Sequence, residues 1–454
     1  MKSQHWDKLS RREFLKLLGA GAATATLAAC APAVPAPQPT SPPPAPSVAP
    51  VKPTAPPAPA ISIQFWDMVN GPPEYIDTGK KLVEQFNQQS TSAKAVYQST
   101  PWTNWYQTFL TAIGSGTAPD ISTGAGYQAV QFYTQGAILE IDDVIADLKS
   151  AGKDKDFMPG TLERLQYQGH TVALPWGIDV RIPFYRKDLF DKAGVKPPTT
   201  WAEFRAAAKS LTSGNQYGFV MAGASPLGMH LLLALMINNG SGVFGADGKL
   251  NMMSDRNSET MTFLSNLVKD GSVHPGSAGF SSDDARKAFA TGAAAIMMMD
   301  APAAEKRYPD LGDKVGMLAP LAGPHGDKGT LSWVNNIMLY KQGKNPAATK
   351  TFLKWWSENA KPLWTEGHCT QIPARLSIAA DPYFQNNPYT KQILEQWIPI
   401  SKSTGALSSG IFPALNDLEG DGVMITLAQD VLQGKDVKES MLKAEARIKT
   451  ILKM

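Results

Sequence analysis

After residue 60 the chain alternates between short runs with strand-like spacing and longer runs with helical spacing. Residues 61–66 alternate apolar and polar side chains, as a strand with one buried face does. Residues 80–88 place Leu82 and Phe86 one helical turn apart on a single face. Alternation of strands and helices is typical of an α/β architecture, so we predict that fold class.

The same spacing predicts further elements along the rest of the chain. Strands are expected at 93–98, from residue 119 onward and at 293–299. Helices are expected at 103–113, 200–212, 227–238, 258–269, 283–291, 347–359, 418–433 and 438–452. No segment repeats at a fixed period, which argues against a solenoid or a propeller.

The first 29 residues have the pattern of an export signal. Basic residues up to Lys16 precede an apolar run at 17–27, which is about half of the roughly 20 residues that a membrane span needs. Residues 10–16, SRREFLK, resemble the twin-arginine signal, which implies export of an already folded protein. We therefore predict a twin-arginine lipoprotein signal peptide over residues 1–29.

The signal is followed by an anchor motif and a Pro-rich segment. Residues 27–30, LAAC, resemble the bacterial lipobox, in which Cys30 becomes diacylated and the chain is cut before it. Two acyl chains hold a protein at a membrane durably, whereas one is marginal. Residues 31–60 are rich in Pro, which favours an extended conformation. We predict a lipidated tether over residues 30–60 on the extracytoplasmic face of a cell membrane; a Pro-rich ligand for a recognition domain is the alternative.

Charge and cysteine content narrow the classes of partner. The chain has 43 Lys and Arg against 40 Asp and Glu, and the basic excess lies within the first 29 residues. A neutral mature chain has no electrostatic reason to bind nucleic acid, and an uncharged ligand fits this balance. Beyond Cys30, only Cys369 remains, so no intramolecular disulfide is expected.

From residue 61 onward the chain resembles the extracellular solute-binding proteins of sugar ABC importers, the group that includes maltose-binding protein. The resemblance rests on the shared order and spacing of short motifs, none of which is decisive alone. They are 65–67 (FWD), 109–116, 118–121 (APDI), 135–139 (QGAIL), 173–176 (ALPW), 184–190 (FYRKDLF), 192–194 (KAG), 198–201 (PTTW), 287–297 (KAFATGAAAIM) and 372–375 (IPAR).

This resemblance implies a type II periplasmic-binding-protein-like fold, in which two α/β lobes are joined by a hinge and hold the ligand in the cleft between them. In family order, lobe one comprises residues 61–177 and 335–372, and lobe two comprises 178–334 and 373–454. Closure around the ligand would signal to ABC permease subunits powered by a cytoplasmic ATPase. The resemblance thus implies a neutral mono- or oligosaccharide ligand, a monomeric receptor, no cofactor and no catalytic residues.

Candidate ligand contacts lie at the ends of predicted strands. A sugar offers hydroxyl groups around its rim and a weakly apolar face, so its site needs carboxylates or amides together with aromatic rings. Trp66 and Asp67 end the first strand, where open α/β sheets bind ligands, although Trp66 fits a core position equally well. Trp176, Asp179 and Arg181 lie at the first expected hinge crossing. The resemblance places a ligand-binding acid at Asp179, and a salt bridge to Arg181 is the alternative.

Other candidates come from later crossings and from loops. Asp300 follows the strand predicted at 293–299 and would either project into the cleft or cap a helix. Trp333 and Asn335 lie at the expected return crossing. Ser332 and Trp333 replace a glycine pair that the family often has there, so Trp333 either stacks on the ligand or narrows the site. Two aromatic residues on loops expected in lobe one complete the set: Trp102 and Tyr127.

Enzyme functions find weaker support in the sequence. Residues 124–129 match a loose dinucleotide fingerprint, but they do not follow the opening strand of their unit. The sequence has no P-loop, nucleophile elbow or paired metal ligands, and its six histidines are best explained as isolated surface or packed residues. Adjacent acids at 142–143 and 283–284 point to different faces and make no ready glycosidase pair. Two alternatives stay open: a non-sugar cargo such as glycerol phosphate, a polyamine or a peptide, or a lipid-anchored polysaccharide hydrolase.

Overall fold

A computed structural model of the chain describes residues 61–300, 308–405 and 412–454, with the side chains of residues 298–300 and 309 outside the description. The predicted signal peptide (1–29) and the lipidated, Pro-rich tether (30–60) lie outside the described residues, so these predictions are not addressed by the fold. Among the helices that are described, none combines the length and the apolar composition that crossing a bilayer requires.

Strands and helices alternate along the described chain, as the sequence predicts. The strands are β1 (Ile61–Met68), β2 (Ala93–Thr100), β3 (Ile121–Gly124), β4 (Gln166–Tyr167), β5 (His170–Thr171), β6 (Leu174–Arg186), β7 (Tyr217–Val220), β8 (Ala294–Asp300), β9 (Val315–Met317), β10 (Thr330–Leu339), β11 (Ile372–Pro373) and β12 (Ser401–Lys402). The helices are α1 (Pro73–Gln89), α2 (Trp105–Ser115), α3 (Gln128–Thr134), α4 (Asp142–Ser150), α5 (Lys187–Ala193), α6 (Trp201–Ser210), α7 (Pro226–Asn238), α8 (Asp255–Lys269), α9 (Ser282–Ala290), α10 (Pro346–Asn359), α11 (Pro362–Thr365), α12 (Leu376–Ala379), α13 (Pro382–Gln385), α14 (Pro388–Gln392), α15 (Ala414–Asp421), α16 (Val423–Leu432) and α17 (Val437–Leu452).

Most strands join one mixed sheet with the order β2-β1-β3-β10-β6-β8-β7. Strands β1, β2 and β3 run parallel, whereas β10 is antiparallel to both β3 and β6. Strand β6 is 13 residues long; it pairs with β10 and β11 through its first part and with β8 and β9 through its last part. Strands β6 and β10 therefore connect the β1–β3 part of the sheet to the β7–β9 part.

Different groups of buried side chains cover these two parts. Beside β1, the ring of Phe65 lies 5.2 Å from that of Phe352 and 4.6 Å from that of Trp356, both on α10. Helix α7 is buried along most of its length and packs with α8 and α16 in a second core. This arrangement is compatible with two lobes, and the lobe boundaries given above stay a prediction.

Most predicted elements shift by a few residues at their ends, and two differ more substantially. The helix expected at 80–88 begins earlier, at Pro73, because Pro fits the first turn of a helix, where its missing N–H is not needed. The single helix expected at 418–433 is wrong. This segment instead lies in two helices, α15 and α16. Gly422 has a φ of 84°, a left-handed conformation that ends α15.

Candidate functional site

The segments that flank the last β3–β10 pair lie beyond the carboxyl end of β3. That pair joins Gly124 to Asn336, so the residues after Gly124 and those before Asn336 extend past the end of the parallel strands. Open α/β sheets bind ligands at this end of their strands. Tyr127 and Trp333, both predicted site residues, lie on these two segments and line the same small cavity.

The indole of Trp333 is surrounded by protein groups. The guanidinium carbon of Arg181 lies 4.6 Å from the ring centre, within cation–π range, and the His230 ring centre lies 4.5 Å away. The indole N–H donates a 2.8 Å hydrogen bond to Oε1 of Glu419. Gly126 is so close that a Cβ there would lie 2.7 Å from the indole. Trp333 is consequently only 5% exposed.

Glu419 is a partly buried carboxyl group that joins Trp333 to the loop at Thr404. It accepts hydrogen bonds from the indole N–H and from the Thr404 hydroxyl. The backbone N–H of Thr404 in turn donates to the hydroxyl of Tyr127 at 2.6 Å. Loss of hydration raises the pKa of Glu419 to about 7, and the two hydrogen bonds oppose this rise. The group therefore titrates near neutral pH.

Arg181 is a buried cation whose charge is compensated within the site. Its Nη1 donates to Oδ1 of Asp179 at 2.6 Å, and its Nε donates to Nδ1 of His230 at 3.1 Å. The salt bridge that the sequence offered as the alternative role for Asp179 is therefore formed. The Asp179 side chain is still 19% exposed, whereas that of Arg181 is 6% exposed.

The cavity between Trp333 and Tyr127 is small among the described residues. The cavity there has a volume of about 10 Å³, room for one water at most. The guanidinium of Arg164 donates to Oγ of Ser332 at 3.2 Å, and that hydroxyl donates to Oγ of Ser401 at 2.9 Å. The cavity is lined by Gly126, Tyr127, Arg164, Ser332, Trp333, Val334 and Ser403.

Asp67 lies under the edge of the sheet instead of facing solvent. Its carboxyl group is fully buried and accepts hydrogen bonds from the hydroxyls of Thr123, Tyr97 and Tyr75, at 2.8, 3.0 and 3.3 Å. Burial raises the pKa of Asp67 to about 7, with these three hydrogen bonds opposing the rise. In this conformation its oxygens are engaged by the protein, and its contact with a ligand stays a prediction.

Trp66 and Trp102 differ in how far they are covered. Trp66 is partly buried, with its ring centre 5.5 Å from that of Phe109. Trp102 is 38% exposed, and its indole N–H donates to the carbonyl oxygen of Val69, just after β1, at 2.8 Å. Trp102 therefore offers an anchored and accessible aromatic ring at the carboxyl end of β1.

The remaining candidates lie on the crossing strands. Trp176 is 5% exposed and stacks on Trp364 with ring centres 5.2 Å apart, so it occupies the core beside β1. Asn335 is buried and pairs with Gly177 across β10 and β6. The backbone of Asp300 pairs with that of Arg181 at the end of β8, as expected for a strand terminus, and its side chain lies outside the description.

Helix α15 contacts helices α2 and α3 through a cluster of polar side chains. The Asp417 carboxylate accepts hydrogen bonds from the Tyr106 hydroxyl and from the Gln131 amide. The amide of Asn416 donates to the side-chain oxygen of Gln131. These bonds join segments that are separated by more than 280 residues in the chain, so they connect the β1–β3 part to the C-terminal helices.

The structure thus brings together Tyr127, Asp179, Arg181 and Trp333, and it places Asp67 and Trp176 in the interior. Sequence reasoning missed the two groups that complete this cluster. His230 was interpreted only as an isolated or packed histidine, yet it is the one ionisable residue of the apolar helix α7, which is a signal that it needs a polar partner. Glu419 gave no such signal, because its partners lie far from it in the chain, on β10, or on the loop at Thr404.

One group of potential metal-binding side chains occurs within the described part of the chain. Atoms of Glu140, Asp142 and His170 lie within 4.8 Å of one another. His170 Nδ1 is 2.8 Å from Asp142 and 3.2 Å from Glu140, and all three side chains are about half exposed. The two carboxylates raise the pKa of His170, so ordinary ion pairing explains the group without a metal.

The chain is similar to known proteins along most of its length. A family model described as bacterial extracellular solute-binding protein matches residues 72–361. The crystal structure of a sugar transporter from Arthrobacter chlorophenolicus A6, with bound laminaribiose, is 36% identical with a TM-score of 0.82, and the match covers 87% of this chain and 100% of that one.

Two curated relatives are more distant. A protein of Brucella abortus (strain 2308), named as a binding protein, is 28% identical over 326 residues, which are 69% of this chain and 75% of that protein. The arabinooligosaccharide-binding protein of Bacillus subtilis (strain 168) is 25% identical over 306 residues, which are 63% of this chain and 65% of that protein.

Proposed function

Because the chain belongs to the family of bacterial extracellular solute-binding proteins, we propose that it is the receptor of an ABC importer and binds a neutral mono- or oligosaccharide. Its fold is the type II periplasmic-binding-protein fold that the sequence predicts. In the proposed function, the protein holds the sugar between two lobes and delivers it to the permease without any covalent chemistry.

One observation carries the choice of a sugar. The Arthrobacter sugar transporter, whose structure contains laminaribiose, matches this chain at 36% identity over the whole of its own length. The arabinooligosaccharide-binding relative agrees with a carbohydrate cargo, though at lower identity. Laminaribiose and arabino-oligosaccharides are therefore the first ligands to test.

The charges of the site favour an uncharged ligand. Arg181 already has a carboxylate partner in Asp179, 2.6 Å away. For Arg181 to bind the oxygens of a phosphate, it would have to leave a largely buried ion pair, which opposes an anionic ligand at this residue. A neutral sugar can instead donate a hydroxyl to the accessible part of Asp179 without separating it from Arg181.

We assign the ligand contacts by accessibility. Trp102 presents an exposed ring on which a sugar face can stack, and Asp179 presents a partly exposed carboxylate that can accept its hydroxyls. Tyr127, Arg181 and Trp333 are buried and are proposed to shape the site. Trp66, Asp300 and Asn335 stay candidate contacts on the same edge or on the crossing strands.

The location of the receptor follows from its N-terminal motifs. We propose that the twin-arginine signal exports the chain, that Cys30 is acylated, and that the Pro-rich tether holds the binding protein on the extracytoplasmic side of a cell membrane. The family to which the chain belongs is described as extracellular, in agreement with this location. Cys30→Ser should release the exported protein from the membrane fraction, and retention of the variant there would contradict the anchor.

A ligand screen tests the sugar function directly. The mature protein is heated with laminaribiose, arabino-oligosaccharides, maltose, glycerol 3-phosphate, a polyamine or a peptide, and its melting temperature is recorded. A ligand at about 100 times its Kd stabilises the native state by about 2.7 kcal/mol, which gives a clear shift. We expect a shift with a neutral sugar and no product on chromatography. Stabilisation by glycerol 3-phosphate, the polyamine or the peptide alone would contradict the sugar cargo, and hydrolysis of the sugar would favour the hydrolase.

A further inference from the structure

Trp333 lies at the position where a ligand would meet the end of β3. Strand β10 pairs with β3 at residues 336–339 and with β6 at residues 332–337, where Trp333 is opposite Asp179. The loop after β3 approaches the indole through Gly126, which has no side chain to hold it away. The indole therefore stands between the end of β3 and the polar groups of β6.

The indole has no free face in this arrangement. Arg181 and His230 contact its ring, Glu419 accepts its N–H, and Gly126 abuts it. A ring that stacks on a sugar needs an accessible face, as Trp102 has, whereas Trp333 is only 5% exposed. Of the two roles that the sequence left open for Trp333, narrowing the site fits these contacts.

The space beyond the indole is too small for a sugar ring. The cavity between Trp333 and Tyr127 measures about 10 Å³, whereas pockets that hold small-molecule ligands have volumes of roughly 300 Å³ or more. An indole and a pyranose are rings of comparable size, so removing this one side chain would free a space of the order of one sugar unit. Gly126 would then border that space without filling it.

We infer that Trp333 is a specificity-determining residue that closes the Gly126–Tyr127 end of the ligand site and so limits the length of the bound oligosaccharide. This inference rests on the proposed function. The indole excludes a further sugar unit by its volume, and its hydrogen bond to Glu419 holds it in that orientation. The site accordingly prefers short chains.

The test compares two substitutions at one position. Trp333→Ala removes the ring, whereas Trp333→Phe keeps most of the aromatic volume, although its ring is smaller than the indole, and loses the N–H that Glu419 accepts. Affinities for the di-, tri- and tetrasaccharide of the laminari- or arabino-oligosaccharide series, whichever the wild type binds, are measured by isothermal titration calorimetry. We expect the tetrasaccharide-to-disaccharide affinity ratio to rise at least tenfold in Trp333→Ala and to change less than threefold in Trp333→Phe.

The other outcomes of this test contradict either the inference or the proposed function. An unchanged ratio in Trp333→Ala, with binding retained, overturns this inference and leaves the proposed function intact. An equal rise in both variants also overturns it, because the lost hydrogen bond would then be the cause. Binding of no neutral sugar at all by the wild type contradicts the proposed sugar function as well. If Trp333→Ala does not fold, Trp333→Leu takes its place, because it keeps an apolar side chain of smaller volume. The tetrasaccharide-to-disaccharide affinity ratio of Trp333→Leu must then show an intermediate rise. If this ratio does not rise, the inference is overturned.

Discussion

The indole N–H of Trp333 donates a hydrogen bond of 2.8 Å to Oε1 of Glu419, 86 residues further along the chain. The Thr404 hydroxyl donates to the same oxygen. Glu419 thereby joins the crossing strand β10 to the C-terminal helices through two donors that are both largely removed from water.

Loss of this acceptor should destabilise the protein. In Glu419→Ala both donors would be left without a partner, and each unsatisfied buried polar group costs about 1–3 kcal/mol. We expect the free energy of unfolding in urea to fall by about 2 kcal/mol or more. Glu419→Gln keeps an acceptor oxygen and should lose about 1 kcal/mol or less. The control is Glu395→Ala, whose side chain is 60% exposed and should cost little. Equal losses in Glu419→Ala and the control would contradict the role of this bond.

Asp67 should make stability depend on pH. Its pKa is about 7 in the folded protein and near 3.8 when exposed, so the folded state holds a proton that the unfolded state has released between these values. Stability is therefore greatest below about pH 4 for this group and declines toward pH 7, by at most about 1.4 kcal/mol per pH unit. Asp67→Asn cannot ionise and should remove the share of this decline that Asp67 contributes, while the share of Glu419, whose pKa is also raised to about 7, remains. In urea unfolding from pH 4 to 8, the free energy of unfolding of the variant should therefore increase relative to that of the wild type as pH rises.

A matched aspartate separates this effect from general changes of charge. Asp283 has a side chain that is 91% exposed, so Asp283→Asn should leave the pH profile of the wild type in place. A decline of the same size in Asp67→Asn would show that Asp67 is not the titrating group.

The fold was largely readable from the sequence because its signals are local. The period-two run at 61–66 and the apolar spacing of α7 and α8 each need only their own residues to be interpreted, and the structure has elements at these positions. The error at 418–433 shows the limit of this approach. Apolar spacing continues through Gly422, and only the backbone conformation, with a φ of 84°, reveals the break.

The site was less predictable, because its contacts join residues far apart in the chain. Asp67 and Asp179 both follow apolar strand residues and look alike in the sequence, yet three hydroxyls enclose the first and Arg181 leaves the second partly exposed. Whether a side chain at the end of a strand faces the interior or the solvent depends on the other segments that pack against it. Glu419 was missed for the same reason, since its partners lie on β10 and on the loop at Thr404.

The contact of α15 with α2 and α3 should control how fast a ligand leaves. Asp417 accepts hydrogen bonds from Tyr106 and Gln131, and these bonds must break if the C-terminal helices move away from the β1–β3 part. A hydrogen bond to a charged group contributes about 1.5–3 kcal/mol, so Asp417→Ala should weaken sugar affinity by roughly tenfold or more. We expect this loss of affinity to appear as a faster dissociation rate in stopped-flow fluorescence, with little change in the association rate.

The same helix provides the control for this prediction. Asp421 lies on α15 as well, but its carboxylate pairs with Arg447 on the neighbouring helix α17. Asp421→Ala should therefore cost some stability without affecting ligand dissociation. Similar dissociation rates in the two variants would contradict a specific role for the contact at Asp417.

Trp102 should contribute directly to sugar binding. Its ring is 38% exposed at the carboxyl end of β1, and its N–H is held by the carbonyl of Val69, so its orientation is fixed before a ligand arrives. Stacking a sugar on such a ring buries apolar surface that Ala cannot replace. We expect Trp102→Ala to lower the affinity for the best neutral sugar by about tenfold to a hundredfold, equivalent to about 1.4–2.8 kcal/mol. Trp102→Phe should lower this affinity less.

Trp355 is the matched control, because it is also partly exposed but packs on Phe86 and donates to Gln89, away from the strand ends. Trp355→Ala should lower the melting temperature and leave the calorimetric affinity unchanged, whereas an unchanged affinity in Trp102→Ala would remove Trp102 from the binding site.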